Sequence, residues 1–241
     1  MSTTTIGAIV RGDAAVFPPY LYEAYRATIK RAPGLPLVDV PLTLSELTGP
    51  GPALSAVTPE DADLTRNAGT GGEAIGQRII VSGRVLDAAG NPIPNTLVEV
   101  WQANAAGRYV HKRDQWPGPL DPNFLGIGRC LTDENGVYRF MTVKPGAYPW
   151  KNHPNAWRPS HIHFSLFGPA WGTRLITQMY FQDDPLFFQD PIFLSVPEQA
   201  RSRMIAAYDH ELSQPEWALG WRWDIVIGGP LGTPFENGEV R

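Results

Sequence analysis

The sequence predicts a mainly β protein: a β-sandwich core with an N-terminal arm and few short helices. Three observations predict it. The 24 glycines and 24 prolines among 241 residues punctuate the chain too often for long helices. Six short runs of strand-forming residues stand between turn-rich spacers. No internal repeat or heptad pattern competes with that reading.

In chain order, residues 1–76 are rich in Pro, Gly, Ser and Thr and read as an arm that packs on something else. The arm carries one expected helix, "LYEAYRATIKRA" (21–32), where Leu21, Tyr25 and Ile29 form an apolar stripe. From Gln77 the texture changes, and residues 77–241 read as the β-sandwich domain. "RIIVSGRVLD" (78–87) and "TLVEVWQAN" (96–104) are strands divided by the turn-rich "AAGNPIPN". "DENG" turns into "VYRFMTV" (137–143), and then follow "HIHFSLF" (161–167), "RLITQMYF" (174–181) and "WRWDIVIGG" (221–229). One longer helix is expected over "PEQARSRMIAAYDHEL" (197–212).

Composition limits the function classes. A formal net charge of −4 offers no general attraction to nucleic acid or an anionic membrane, so an anionic substrate needs local positive groups. Cys130 is the only cysteine, which removes internal disulfides and thiolate clusters and leaves nitrogen and oxygen as metal donors. No apolar run reaches membrane-spanning length and the N-terminal stretch lacks a secretory pattern, so the expected location is cytoplasmic.

The stretch "WRPSHIHFSL" (157–166) concentrates chemistry. On a strand, successive side chains point to opposite faces, so Ile162, Phe164 and Leu166 share one face and His161, His163 and Ser165 the other. Two imidazoles side by side suit a metal, and they equally suit a strand showing polar residues to water. His111, His153, His210 and the carboxylates remain open as companions, as do Tyr109 in "AAGRYVHKRD" and Tyr148 in "KPGAYPWKN". Pro149 holds Tyr148 in an extended conformation, and the preceding "KPG" places it on a loop, in contrast to the strand-borne histidines.

The ordered blocks "VEVWQANAAGRY", "LDPNF", "GRCLTDENGVYRFMTVKPGAYPW" and "WRPSHIHFSL" resemble the intradiol ring-cleavage dioxygenases, and among them the iron-binding β-type subunits. The resemblance runs from about residue 77 to 182 and is weaker at both ends. It implies one mononuclear non-haem Fe(III) per site, held by Tyr109, Tyr148, His161 and His163. A hard ferric ion favours anionic oxygen donors, and phenolates are such donors. The resemblance also gives Tyr148 the role of the ligand that leaves and takes a substrate proton. Arg158 then stabilises negative charge developing on the ring, and Gln178, opposite in parity to Leu175, Thr177 and Met179, holds Arg158. Tyr25, Trp101, Trp150 and Ile192 fall at substrate-pocket positions.

The implied reaction takes protocatechuate (3,4-dihydroxybenzoate) and O2 to 3-carboxy-cis,cis-muconate by cleavage between the hydroxyl-bearing carbons, a step of aromatic catabolism in the β-ketoadipate pathway. The implied partner is a related α-type subunit in a hetero-oligomer. Leu125 stands where the resemblance leads one to expect a glycine, and "PLFFQDPIF" (185–193) departs from the family pattern. Two other readings compete: a non-catalytic transthyretin-like module, suggested by "GRVLDAAGNPIPN" and "TDENGVYRF", and a cupin-type ferrous enzyme. The tyrosine pair beside the histidine pair counts against both.

Overall fold

Alternating apolar residues decide which faces of the strands meet. The computed structural model describes residues 16–36, 38, 56–168 and 174–236. Among them lie eleven strands: β1 (Arg78–Asp87), β2 (Leu97–Trp101), β3 (Ile127–Leu131), β4 (Val137–Val143), β5 (Tyr148–Pro149), β6 (Trp157–Arg158), β7 (His161–Phe167), β8 (Leu175–Phe181), β9 (Ile205–Gln214), β10 (Ala218–Arg222) and β11 (Ile225–Ile227). Nine of them form one sheet in the order β11-β1-β10-β9-β8-β7-β2-β3, with β4 paired to β1; β5 and β6 form a separate ribbon.

The large sheet folds over a shared core. Its two halves join where β8 and the start of β9 run parallel over only two pairs, Tyr180↔Ile205 and Phe181↔Ala206. Phe140 from β4 lies 5.8 Å from Phe164 of β7, and Phe164 meets Trp223 at 4.9 Å, so the two layers face each other as in a sandwich. Ile79, Val81 and Val85 of β1 join Val98, Val100, Ile162, Leu166 and Met179 in one buried cluster. Cys130 belongs to the same cluster, and burial pushes its thiol up to about 12, which makes it inert packing.

The C-terminal run 221–229 is two strands, because β1 changes partner from β10 to β11 at Gly83. A Cβ at Gly83 would sit 1.7 Å from the Trp223 carbonyl oxygen, so only glycine allows this approach.

Both expected helices shrink. Of the expected helix 21–32, only α1 (Ala27–Arg31) is helical. Leu21 and Ile29 are exposed while Tyr25 is buried, so the three do not form one stripe. The Thr28 hydroxyl, bonded to the carbonyls of Tyr22 and Tyr25 at 2.8 Å, ties the preceding residues into turns instead. The 197–212 helix is corrected more deeply. Helical structure there is confined to α3 (Glu198–Arg201) and the following 3₁₀ turn, and "IAAYDHELSQ" is strand β9. Val196, Ala200 and Met204 keep a helical spacing into the core, but from Ile205 pairing first with β8 and then with β10 overrides local propensity. A further short helix, α2 (Pro191–Ser195), precedes α3.

Residues 56–76 pack on the same core, with Leu64 fully buried and its amide bonded to the Met141 carbonyl at 2.9 Å.

Candidate metal centre

Strand register assembles the site in rows. Trp101 on β2 lies opposite His163 on β7, which lies opposite Gln178 on β8; His161 lies opposite Tyr180 one pleat along. These side chains therefore share one face of the sheet, while Ile162, Phe164, Leu166 and Met179 fill the core on the other. The strand does not show its histidines to water: His161 is 1% exposed and His163 8%. Trp101 stacks flat on the His163 ring, with centroids 4.8 Å apart.

The two tyrosines come from elsewhere. Tyr109 follows β2 on a loop closed by Asn104, whose side-chain oxygen accepts from the amides of Ala106 and Arg108, and by Asp114, which accepts from the Tyr109 amide. Tyr148 is not on a plain loop; it begins β5, directly opposite Arg158 on β6. The Tyr109 and Tyr148 hydroxyls lie 3.5 and 3.4 Å from His161 Nε2. The imidazole centroids of His161 and His163 are 5.0 Å apart.

Each imidazole has its other nitrogen committed. His161 Nδ1 lies 2.7 Å from the Pro159 carbonyl, which can only accept, so Nδ1 carries the proton and Nε2 offers its lone pair. His163 Nδ1 lies 3.1 Å from a Glu236 carboxylate oxygen, the carboxylate–histidine arrangement that orients metal-binding imidazoles. Burial, then the nearby Arg158 and His163, hold His161 well below the usual imidazole range, which keeps it a neutral donor. Burial raises the Tyr109 phenol well above its ordinary value and raises Tyr148 as well, so a phenolate here needs a cation beside it.

This donor set fits a ferric ion: two phenol oxygens that a hard cation would ionise, two neutral imidazole nitrogens, and no sulfur. Among the described residues no group of three or more His, Cys, Asp and Glu side chains could hold a metal, so the tyrosines are essential to the set. Of the open companions, His111 reaches only the pocket rim, His153 lines a neighbouring cleft, and His210 stands on the exposed part of β9.

Arg158 is 3% exposed. Its Nε and one terminal nitrogen donate to a single Asp190 oxygen at 3.2 and 2.9 Å, and the same terminal nitrogen reaches Gln178 Oε1 and, at 3.0 Å, the Tyr180 hydroxyl. Burial alone lowers the guanidinium pKa, and Asp190 with the phenols of Tyr180 and Tyr148 reverses it to well above the ordinary value. Arg158 is thus a fixed cation.

A cavity of about 750 Å³ opens beside this group, within the range of small-molecule sites. Tyr25, Trp101, Trp150 and Ile192 all line it, with Tyr109, Tyr148, Arg158, His163 and Leu125. Tyr25 reaches the cavity because Asn152 fastens the arm: its side chain accepts from the Arg26 amide at 2.9 Å and donates to the Ala24 carbonyl at 2.7 Å. Tyr25 then meets Trp150 edge-on at 5.3 Å. Beside Leu125, the glycine that the backbone requires stands at Gly126, whose φ is +72° and whose Cβ would lie 2.5 Å from the Gln102 carbonyl oxygen.

Sequence reasoning missed Asp190, Tyr180 and Glu236. Tyr180 shares parity with Gln178, and Asp190 before Pro191 is a helix N-cap pattern, so both left a signal. Glu236 left none.

Comparison with known proteins gives independent findings. A family model described as "Dioxygenase" matches residues 49–229, and one described as "Protocatechuate 3,4-dioxygenase beta subunit N terminal" matches residues 10–43. The chain is 56% identical over 220 residues to a protocatechuate 3,4-dioxygenase beta chain of Burkholderia cepacia, covering 91% of this chain and 94% of the relative. It is 30% identical over 209 residues to a protocatechuate 3,4-dioxygenase alpha chain of Pseudomonas putida, covering 83% and 98%. In fold it is similar to the crystal structure of 3-chlorocatechol 1,2-dioxygenase from Rhodococcus opacus, with a TM-score of 0.55 and 24% identity over 71% of this chain and 66% of that one.

Proposed function

Because the chain belongs to the dioxygenase family, within its protocatechuate 3,4-dioxygenase β-chain branch, we propose that it is the iron-binding subunit of an enzyme that cleaves protocatechuate between its hydroxyl-bearing carbons, giving 3-carboxy-cis,cis-muconate. The observation that carries the metal assignment is the convergence of the Tyr109 and Tyr148 hydroxyls on His161 Nε2, with His163 alongside. These four residues would hold a ferric ion, whose Lewis acidity would let the diol bind through both of its oxygens and would make the ring reactive toward O2.

The remaining roles belong to the chain's own residues. Tyr148 Oη takes one diol proton, and its place on a two-residue ribbon suits a side chain that must move. His161 and His163 stay where β7 and their Nδ1 partners put them. Arg158 faces the ring and stabilises the negative charge that develops on the attacked carbon, a task for a preorganised cation in a dry pocket. Gln178 and its neighbours keep that cation in place. Trp101, Trp150, Tyr25 and Ile192 form the walls that orient the ring and exclude water.

The partner is a related α-type subunit, and the arm, residues 1–76, is the region through which the two associate. The 185–193 segment that departs from the family pattern supplies Asp190 and Ile192, so it tunes a site of the same chemistry. The test is metal analysis, a visible spectrum and product identification with protocatechuate as substrate. We expect about one iron per site, a phenolate-to-iron absorption band and 3-carboxymuconate; a yellow semialdehyde, or full turnover by colourless iron-free protein, contradicts the proposal.

A further inference from the structure

Asp190 is fully buried and uses its two carboxylate oxygens for different purposes. Oδ2 accepts twice from Arg158 and lies 3.0 Å from the Tyr180 hydroxyl. Oδ1 accepts from the Ile192 amide at 2.9 Å and so caps α2 at its first turn. Ile192 is the residue of α2 that lines the substrate cavity, and Arg158 is the cation that lines it from β6. One side chain therefore holds both the buried cation of the pocket and part of its wall.

The geometry points to Asp190 as a positioning residue that couples the placement of Arg158 to the placement of Ile192, and so links turnover to substrate selection. This inference rests on the role assigned to Arg158 above. The backbone supports the coupling: Asp190 is extended, with φ −92° and ψ 104°, Pro191 presets the first helical residue, and the Leu194 amide closes on the Asp190 carbonyl at 2.9 Å. No neutral side chain of the same size does both jobs. An asparagine that keeps an oxygen on the Ile192 amide turns its NH2 against the guanidinium, donor against donor; turned round, it loses the cap.

The experiment uses the chain assembled with its α-type partner and loaded with iron. Wild type, Asp190→Asn, Arg158→Gln and the double variant are compared for iron content, visible absorption, kcat and KM. Asp190→Asn is expected to keep iron and colour while kcat per iron falls by on the order of 10²-fold, the scale of a small misplacement of a catalytic group. In the Arg158→Gln background the same substitution should change kcat by less than about twofold, because the two act as one unit.

Equal losses in both backgrounds, or an undiminished kcat in Asp190→Asn, overturn the inference. An undiminished kcat in Arg158→Gln instead overturns the assigned role of Arg158, so the two failures are distinguishable.

The wall is read separately. Asp190→Ser retains an N-cap oxygen but is too short for Arg158, whereas Asp190→Ala loses both. The ratio of kcat/KM for protocatechuate to that for catechol should shift in Asp190→Ala and stay near wild type in Asp190→Ser, and identical ratios overturn this half. Where the neutral variants do not fold, Asp190→Glu keeps the charge and displaces Arg158 by one methylene. A lowered kcat with iron retained supports the coupling, and an unchanged kcat refutes it.

Discussion

The Nδ1 atoms of His161 and His163 are tied to different acceptors, a proline carbonyl at 2.7 Å and a carboxylate at 3.1 Å. The two imidazoles are therefore oriented before any ion arrives, whereas the Tyr109 and Tyr148 hydroxyls bond to one another, and Tyr148 also to Arg158, within the site itself. Replacing His161 or His163 by alanine should abolish iron retention, measured by metal analysis after desalting. Tyr148→Phe should retain iron and slow substrate binding in stopped-flow traces, because it removes a base and a ligand able to leave. Glu236→Gln should weaken iron affinity by about 10- to 100-fold, the usual cost of an altered outer partner. Equal iron loss in all these variants contradicts the division between fixed and mobile ligands. The histidine pair was legible in the sequence through strand parity, whereas both tyrosines were singled out as ligands only by the family resemblance. Asp190 and Glu236 were harder to find, because a side chain that acts across 32 or 73 residues of chain leaves no local period.

Asn152 shows how a connection between elements does the work of an element. The turn between β5 and β6 holds the arm at Ala24 and Arg26 through one amide side chain, and the arm in turn sets Tyr25 over Trp150. Each such hydrogen bond contributes about 0.5–1.5 kcal/mol, and the loss is concentrated where the arm meets the pocket. Asn152→Ala should lower the melting temperature by a few degrees and raise KM more than it lowers kcat; an unchanged KM would show that the arm seats itself without this latch. The two misjudged helices teach the complementary lesson. "IAAYDHEL" carries good helix formers, yet β10 offers a ladder from Ala207 to Asp209 and the sheet wins. The runs read as strands at β1, β4, β7 and β8 are strands in the structure, and the face assigned to Ile162, Phe164 and Leu166 is the one that enters the core.

At the scale of the whole molecule, the cavity has a protein floor and an incompletely covered rim. Val110, Leu125 and Ile127 stand around it with more than 40% of their surface exposed, an apolar border of the kind that interfaces cover. With an α-type partner as the proposed cover, co-expression should give a stable mixed oligomer by size-exclusion chromatography with light scattering. Full activity from a soluble oligomer of this chain alone would refute the requirement. The strand order could not be read from sequence, because β1 pairs with β4, β10 and β11, whose paired residues lie 53 to 140 positions away along the chain.

Among the described residues the β5–β6 ribbon shares no ladder with the nine-stranded sheet, although it carries Tyr148 and Arg158 beside the histidines of β7, a strand paired on both sides. The difference becomes one of time. Local opening of the ribbon costs less than opening β7, so deuterium should enter backbone amides around 148–158 well before those of 161–167. Binding of an unreactive catechol analogue should then slow exchange in the ribbon and leave β7 unchanged. The centre would thus have two clocks: a slow one for keeping its ion and a fast one for admitting its substrate.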